Sequence, residues 1–562
     1  MIAKKSTLMV IQSLMGMIFG FITLKYIALE IGTAAYGEMV LGYAVVSLFS
    51  FFANLGYGSS HVKRISEGKD LGECIGTFIV IRVATIALMS VAVVVSLAVW
   101  TWIYPNGMTD VSIAVILSVL VYFIILNLAS IPTLTFDARA ETSKTQIASM
   151  VQHPMKLAAV VFVIMMAGGV SSGISNDDMA FRLTWAYYTI GMIGSTLIAW
   201  GMFVYYKYPV KKPTWKMVKS YTSFALLTSV AGLVSVIILN ADDVMLGYYW
   251  TSSVVGEYTG VQSLTNMLTI IPWSVAGILL PVMSNLHYKK AKKAIVDLLK
   301  VCERHVSLLV APITFFIFFF SRPIIHLLLS DKWYPADFTL SFLAIVIFIT
   351  ALNTIRNTML QAIGRPGLTA SIGILSVVIN LVVNFLFIPD WSWFHPTLTI
   401  PGVITPTGVT HIVPLDKHTG AAVALIIGSL VNFVLLRYYS WKCIGGGLYH
   451  GVTVKHVAAS TVMILPLIYL NRVYTLARWY DLFIYMLIGL GIYVLVLYLI
   501  KEFTKDDLKF YLDLLNPKGM GSYISAELKE KDLSVAMETM TGDHGKDTKK
   551  PKAPRRRRSE EE

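Results

Sequence analysis

The chain has 562 residues, of which 56% are hydrophobic and only 14% charged, with a mean hydropathy of +0.67. A soluble chain carries about 25% charged residues, so a soluble globular protein is excluded and a bundle of membrane-buried helices is implied. The net charge of +13 does not point to nucleic acid as a partner, because the excess cations sit in loops and in the tail.

After Lys4 and Lys5, apolar segments long enough to cross a bilayer, ~20 residues each, run over 7–30, 37–58, 73–103, 111–137, 146–168, 180–206, 220–248, 254–285, 298–321, 338–362, 368–389, 419–440, 452–471 and 480–500. They predict an all-α integral membrane protein of about fourteen transmembrane helices. No small-residue cleavage site follows the first segment, which therefore reads as a spanning helix. Loops after even-numbered segments are rich in cations: Lys63, Arg64 and Lys69; Arg139 and Lys144; Lys207, Lys211, Lys212, Lys216 and Lys219; Lys289, Lys290, Lys292 and Lys293; Arg365; Lys442 and Lys455. Loops after odd-numbered segments are poorer. This asymmetry predicts a multi-pass plasma-membrane protein with both termini in the cytoplasm. Cys74, Cys302 and Cys443 fall near the same side, with no disulfide framework and no metal-ligand spacing.

The stretch 224–285 organises the rest. Two apolar runs flank a short polar turn, with Asp242 and Asp243 before it and Val255-Gly256-Glu257-Tyr258 after it. Tyr36-Gly37-Glu38-Met39 matches the latter at an offset of 219, and residues 130–164 align without gaps on 354–388 at an offset of 224. Near-equal offsets define repeat units of six segments. Six is even, so both units insert in one orientation, related by an axis along the membrane normal with a cavity between them.

The predicted organisation is an N-terminal six-helix lobe over 1–210, a C-terminal six-helix lobe over 211–445 and two extra transmembrane helices within 446–502. The C-terminal lobe contains an outer loop, 390–418, whose Thr/Val/Ile alternation broken by Pro and Gly reads as a hairpin or folded loop. Residues 503–517 place Phe503, Leu508, Tyr511, Leu512 and Leu515 at helical spacing, as in a juxtamembrane amphipathic helix. The polar tail 518–562 reads as disordered, its arginines at 555–558 either solvated or against anionic lipid.

No P-loop, zincin pattern or nucleophile elbow occurs, and the histidines form no ligand pairs; the chain reads as a non-enzyme with no resident cofactor. The informative residues are cations inside spans: Lys25, Arg82, Lys156, Arg304 and Arg356. Each costs ~2.5–3.5 kcal/mol at a helix centre and is tolerated where it meets a wet cavity or a partner. Together they would line a cationic path for a lipid phosphate or pyrophosphate. The rival reading is snorkelling or structural pairing, strongest for Arg304 and Arg356 near the interface. Lys25 lies at the depth of Asp242, so an ion pair between the lobes competes there. Asp242 and Asp243 form either a coupling-ion site or a structural cap. Asn380 and Asn384, one helical turn apart on a shared face, either join that site or make interhelical hydrogen bonds. Pro132, Pro154, Pro272 and Pro312 lie within spans, as bends for alternating access or as plain kinks.

Several stretches resemble, in order and spacing, the Wzx-type polysaccharide flippases of the MATE-like MOP transporter superfamily. They are Leu29-Glu30-Ile31-Gly32 with Ala35-Tyr36-Gly37-Glu38; Asn54-Leu55-Gly56-Tyr57-Gly58; Asp242-Asp243-Val244-Met245-Leu246-Gly247-Tyr248; Pro281-Val282-Met283-Ser284; Gln361-Ala362-Ile363-Gly364-Arg365-Pro366; Val378-Ile379-Asn380-Leu381-Val382-Val383-Asn384 with Ile388-Pro389; and Gly420-Ala421-Ala422. The resemblance covers the chain to about residue 515. It implies twelve core helices in two lobes and a flippase carrying polyprenyl-(pyro)phosphate-linked oligosaccharide to the outer leaflet. Such activity implies membrane lipid and a polymerase, ligase or oligosaccharyltransferase as partners, and coupling to Na⁺, H⁺ or the membrane potential. A MATE-like drug or metabolite antiporter is the alternative. A non-transporting assembly partner of a cell-envelope complex is a third reading.

Overall fold

The computed structural model of the chain describes residues 2–104, 109–139, 141–167, 175–391, 396–400, 410–415, 417–445, 451–504 and 507. Apolar runs become helices because hydrocarbon offers the backbone no water, so each span must satisfy its own N–H and C=O groups. Thirteen helices among the described residues are long and apolar enough to cross a membrane. The remaining segment, 220–248, is also helical, but several of its side chains lie outside the described residues.

The first half holds α1 (Ile2–Glu30), α2 (Thr33–Asn54), α3 (Tyr57–Ser66), α4 (Leu71–Ile103), α5 (Asp110–Ala138), α6 (Thr142–Ala167), α7 (Asn176–Thr184) and α8 (Gly191–Tyr205). The second half holds α9 (Trp215–Tyr249), α10 (Ser252–Asn266), α11 (Ile270–Tyr288), α12 (Lys292–Phe319), α13 (Ser321–Leu328), α14 (Asp337–Ala362), α15 (Pro366–Phe387) and α16 (Lys417–Ile444). The helices α17 (Gly451–Val473) and α18 (Trp479–Leu499) follow.

Three spans that read as single runs are broken. Leu55 and Gly56, both in the left-handed region at φ 34° and 74°, separate α2 from α3. A π-helical turn, Trp185–Ile190, joins α7 to α8. A 3-10 turn, Met267–Thr269, joins α10 to α11 just before Pro272. Pro132, Pro154 and Pro312 lie inside α5, α6 and α12.

Each half has its own apolar core. Val46, Met89, Val93, Val119 and Phe123 form one; Val306, Val310, Ala351, Ile355 and Leu436 belong to the other. Facing outward, Val91, Val94 and Val95 of α4 and Leu487 and Leu495 of α18 are exposed, since a span is apolar on every side. The three cysteines are free thiols.

The loop 390–418 does contain a hairpin: β1 (Thr397–Ile400) pairs antiparallel with β2 (His411–Pro414), Thr397 opposite Pro414. The amphipathic helix expected over 503–517 lies outside the described residues except at 503, 504 and 507, and the tail 518–562 lies wholly outside them.

The two halves meet where α2 packs along α10. A Cβ placed on Gly37 would lie 1.7 Å from the Ser252 carbonyl oxygen, and one on Gly256 would lie 2.1 Å from that of Thr33. Only glycine permits this backbone approach. Thr33 and Ser252 stand at the same offset of 219 as Gly37 and Gly256. Beside them the Thr33 and Ser253 hydroxyls are 2.6 Å apart, and the Trp333 indole N–H donates to the Gly256 carbonyl at 3.3 Å.

Candidate functional site

Arg82 is 2% exposed on α4. Its Nη1 donates to the Ala53 carbonyl at 2.7 Å, to Asn127 Oδ1 at 3.1 Å and to Asn54 Oδ1 at 3.4 Å. Ala53 sits in the last turn of α2, where carbonyls lose their helical partners, so the guanidinium caps the α2–α3 break. Its Nε is buried without a partner. Its guanidinium carbon lies 5.0 Å from the Phe78 ring centroid. Every hydrogen-bond partner of Arg82 among the described residues is therefore neutral.

Lys156 projects from α6 and holds its ammonium 3.7 Å from the centroid of Tyr187, inside the π-helical turn. That turn anchors an aromatic cluster: Tyr188 stacks on Tyr43 at 4.9 Å and meets Tyr122 at 5.3 Å. A π turn widens the helix by one residue and often marks a functional site. Nothing in the local sequence signals it.

The remaining cations differ. Arg356 makes a bidentate pair with Glu303, 2.7 and 3.0 Å, with both side chains buried. Arg437 Nη1 stands 3.5 Å from the same carboxylate. Arg304 pairs with Glu502 at 3.1 Å and doubly with Asp507 at 2.8 Å, and Lys455 holds Glu502 from the other side. Two of the three arginines placed on the cationic path, Arg304 and Arg356, are thus committed to carboxylates. Lys25 is half-buried and makes no hydrogen bond or ion pair among the described residues. Within those residues no contact links any two of the five cations, so the structure distributes them over separate settings.

Asp242 does not make the ion pair with Lys25 that stood as the rival reading. Its carboxylate accepts from the Tyr258 hydroxyl at 2.8 Å and from Asn384 Nδ2 at 2.5 Å. Helix α1 packs on α6, while Asp242 turns toward α10 and α15 of its own half. Asn384 Nδ2 also donates to Asn380 Oδ1 at 3.2 Å. Asp243 accepts from Thr259 at 3.0 Å, and Gln262 donates to Tyr258 at 3.3 Å. The two acids and two amides singled out in the sequence therefore sit close together, buried between α9, α10 and α15. Asn384 Oδ1 and Asn380 Nδ2 are buried without a partner. A carboxylate beside an unused amide oxygen is a donor set suited to a hard monovalent cation. The sequence motif contains Tyr258 but does not mark it as a site residue, although its four-residue step to Gln262 on a polar face could have done so.

A two-lobed helical bundle, with span cations in one half that meet no carboxylate among the described residues and a buried acid–amide cluster in the other, defines a membrane transporter of the MATE-like fold. The profile of the polysaccharide biosynthesis protein family matches residues 2–287, and that of the MatE family matches residues 221–386. The chain belongs to the polysaccharide biosynthesis protein family. It is 24% identical to the probable low-salt glycan biosynthesis flippase Agl15 of Haloferax volcanii, over 78% of this chain and 83% of that protein. Its fold is similar to the lipid II flippase MurJ in an inward closed conformation, with a TM-score of 0.63, 13% identity, and coverage of 91% of this chain and 99% of that one. An inward-facing multidrug MATE transporter of the MOP superfamily gives a TM-score of 0.56 at 13% identity, over 76% and 94%.

Proposed function

We propose that the chain is a flippase that moves polyprenyl-(pyro)phosphate-linked oligosaccharide from the cytoplasmic to the outer leaflet, by alternating access between its two lobes. Arg82 and Lys156 carry the reading. Both are cations inside spans, and among the described residues neither meets a carboxylate. A phosphate crossing hydrocarbon needs such uncompensated charge. The family and the glycan-flippase relative point the same way.

In this reading the Gly37–Gly256 seam lies at the outer side and both termini lie in the cytoplasm. A polymerase, ligase or oligosaccharyltransferase receives the flipped lipid. The Asp242–Asn380–Asn384 cluster binds the coupling ion, Na⁺ or H⁺. Purified protein in liposomes should expose a fluorescent lipid-linked oligosaccharide to reagent in the opposite leaflet; no exposure above protein-free liposomes refutes the proposal. Cysteines introduced at 289–293 should be labelled only from the cytoplasm and those at 397–400 only from outside. The opposite pattern rejects this orientation.

A drug or metabolite antiporter is the second reading, favoured by the MatE match and by adjacent buried acids. Ion-coupled efflux of organic cations, with no movement of lipid-linked sugar, would select it.

A further inference from the structure

A cavity of about 560 Å³ opens inside the second lobe, walled by α11, α14, α15 and α16. Its size falls within the ~300–1,000 Å³ of small-ligand pockets. No charged residue lines it, whereas ten of its nineteen lining residues carry an amide or a hydroxyl. One helix supplies most of them. Thr350, Thr354 and Thr358 form one row along α14 at four-residue spacing, and Asn353, Asn357 and Gln361 form a second row beside it, hence one face. A span bears such a polar stripe only toward protein or a polar cavity.

Part of this stripe is held in place: Asn353 Nδ2 donates to the Ser429 carbonyl at 3.1 Å. Other groups are unused. Asn432 and Asn380 line the cavity, and Asn432 Oδ1 and Asn380 Nδ2 are buried in its wall without partners. Asn357 makes no hydrogen bond among the described residues. The Asn357 amide is therefore free to meet a ligand, with unused amide groups of Asn380 and Asn432 sealed in the wall behind, and Trp273 forms part of the wall.

We infer that this cavity binds the neutral sugar of the transported glycolipid, an inference that rests on the flippase reading for its physiological ligand. Amides that donate and accept match the hydroxyls of a sugar ring, and an aromatic wall matches its C–H face. A phosphate would need cations, which are absent from the lining; an isoprenoid chain would leave the amides unpaired. The site is thus separate from Arg82 and Lys156, which lie in the other half. Asn380 belongs to both this cavity and the Asp242 cluster, so sugar and coupling ion meet at one side chain.

Two variants test the site. Gly373 lines the cavity, and a Cβ there would meet nothing within 4 Å, so in Gly373→Leu the new side chain starts from open space and takes up cavity volume. Asn432→Leu removes an oxygen that has no partner, so no hydrogen bond of the fold is lost with it. Three probes are titrated onto the full chain in nanodiscs: a free neutral tetrasaccharide, a polyprenyl phosphate bearing that tetrasaccharide, and the bare polyprenyl phosphate. Thermal unfolding controls for the fold, and if Gly373→Leu unfolds, Asn432→Leu decides.

The parent should bind the sugar-bearing probes, and each variant should bind them about tenfold more weakly, with bare polyprenyl phosphate unaffected. Parent-like binding of the sugar-bearing probes by folded variants overturns the inference. So does an equal loss for the bare lipid, or a parent that binds no sugar probe. If the parent binds neither lipid, yet binds free tetrasaccharide and loses it in the variants, the flippase reading fails and the sugar site stands.

Discussion

Arg82 of α4 donates to the carbonyl of Ala53 at the end of α2, 2.7 Å away. A buried cation thus holds a broken helix end, and any role toward substrate is added to that structural one. Lys156 has no such duty. Arg82→Gln should lower the unfolding temperature, since loss of the donor strands buried acceptors at ~1–3 kcal/mol. Lys156→Gln should unfold like the parent but flip lipid-linked oligosaccharide more slowly. Normal transport in a folded Lys156→Gln protein would remove Lys156 from the phosphate path.

Asp242 is buried against Tyr258 and Asn384, not against Lys25. Asp242→Asn should therefore change how transport depends on Na⁺ or pH, while Lys25→Gln should leave that dependence alone. Flux measured at stepped ion gradients decides it. An active, folded Asp242→Asn protein with parental ion dependence would reject the coupling site.

Glu303 serves two arginines, Arg356 and Arg437, in a buried setting. Glu303→Gln leaves both cations without their counter-charge and should cost ~3–5 kcal/mol of stability. Pairing Glu303→Met with Arg356→Met should recover part of it, read by chemical unfolding in detergent. A loss no smaller in the double variant would show that Arg437, still without its counter-charge, or the packing around it sets the cost.

Glu141 lies outside the spans, between α5 and α6. Burial raises its pKa, but hydrogen bonds from Lys144, Tyr208 and Arg139 outweigh that and hold it at about 2, below the ordinary 4.5. A depressed folded-state value stabilises the protein above pH 4.5, and the contribution fades as pH falls toward 2. The stability gap between the parent and Glu141→Gln should be full at neutral pH and shrink through that window. A gap independent of pH would show that the carboxylate charge contributes nothing.

The spans were legible because hydropathy and length alone specify a helix in hydrocarbon, and the hairpin because alternation and turn residues specify strands. The breaks were not legible. Leu55–Gly56 reads as an ordinary apolar step, and the π turn depends on how Tyr187 and Tyr188 pack. Asn380 and Asn384 could be placed on one face from their spacing, yet the partner of Asn384, Asp242, lies 142 residues away, a distance that local pattern does not bridge. For Arg82 the sequence showed a charge in a span but not Ala53 or Asn127, which reach it from other helices. The amide stripe of α14 was present in the letters and was hidden by the apolar average of its segment.

At the seam, Gly37 faces Ser252 while Gly256 faces Thr33, and each pair exchanges the same two repeat positions. This is the signature of an isologous contact, in which one patch recognises a copy of itself. A half-length chain carrying one copy of the motif would form it as a homodimer, and there any substitution would strike both sides of the axis at once. Fusion into a single chain frees the two copies from each other. One lobe can take on a buried cation and the other an acid–amide cluster, while the glycines on the axis still answer to a common geometry. The asymmetry of the two halves is therefore compatible with a symmetric seam between them.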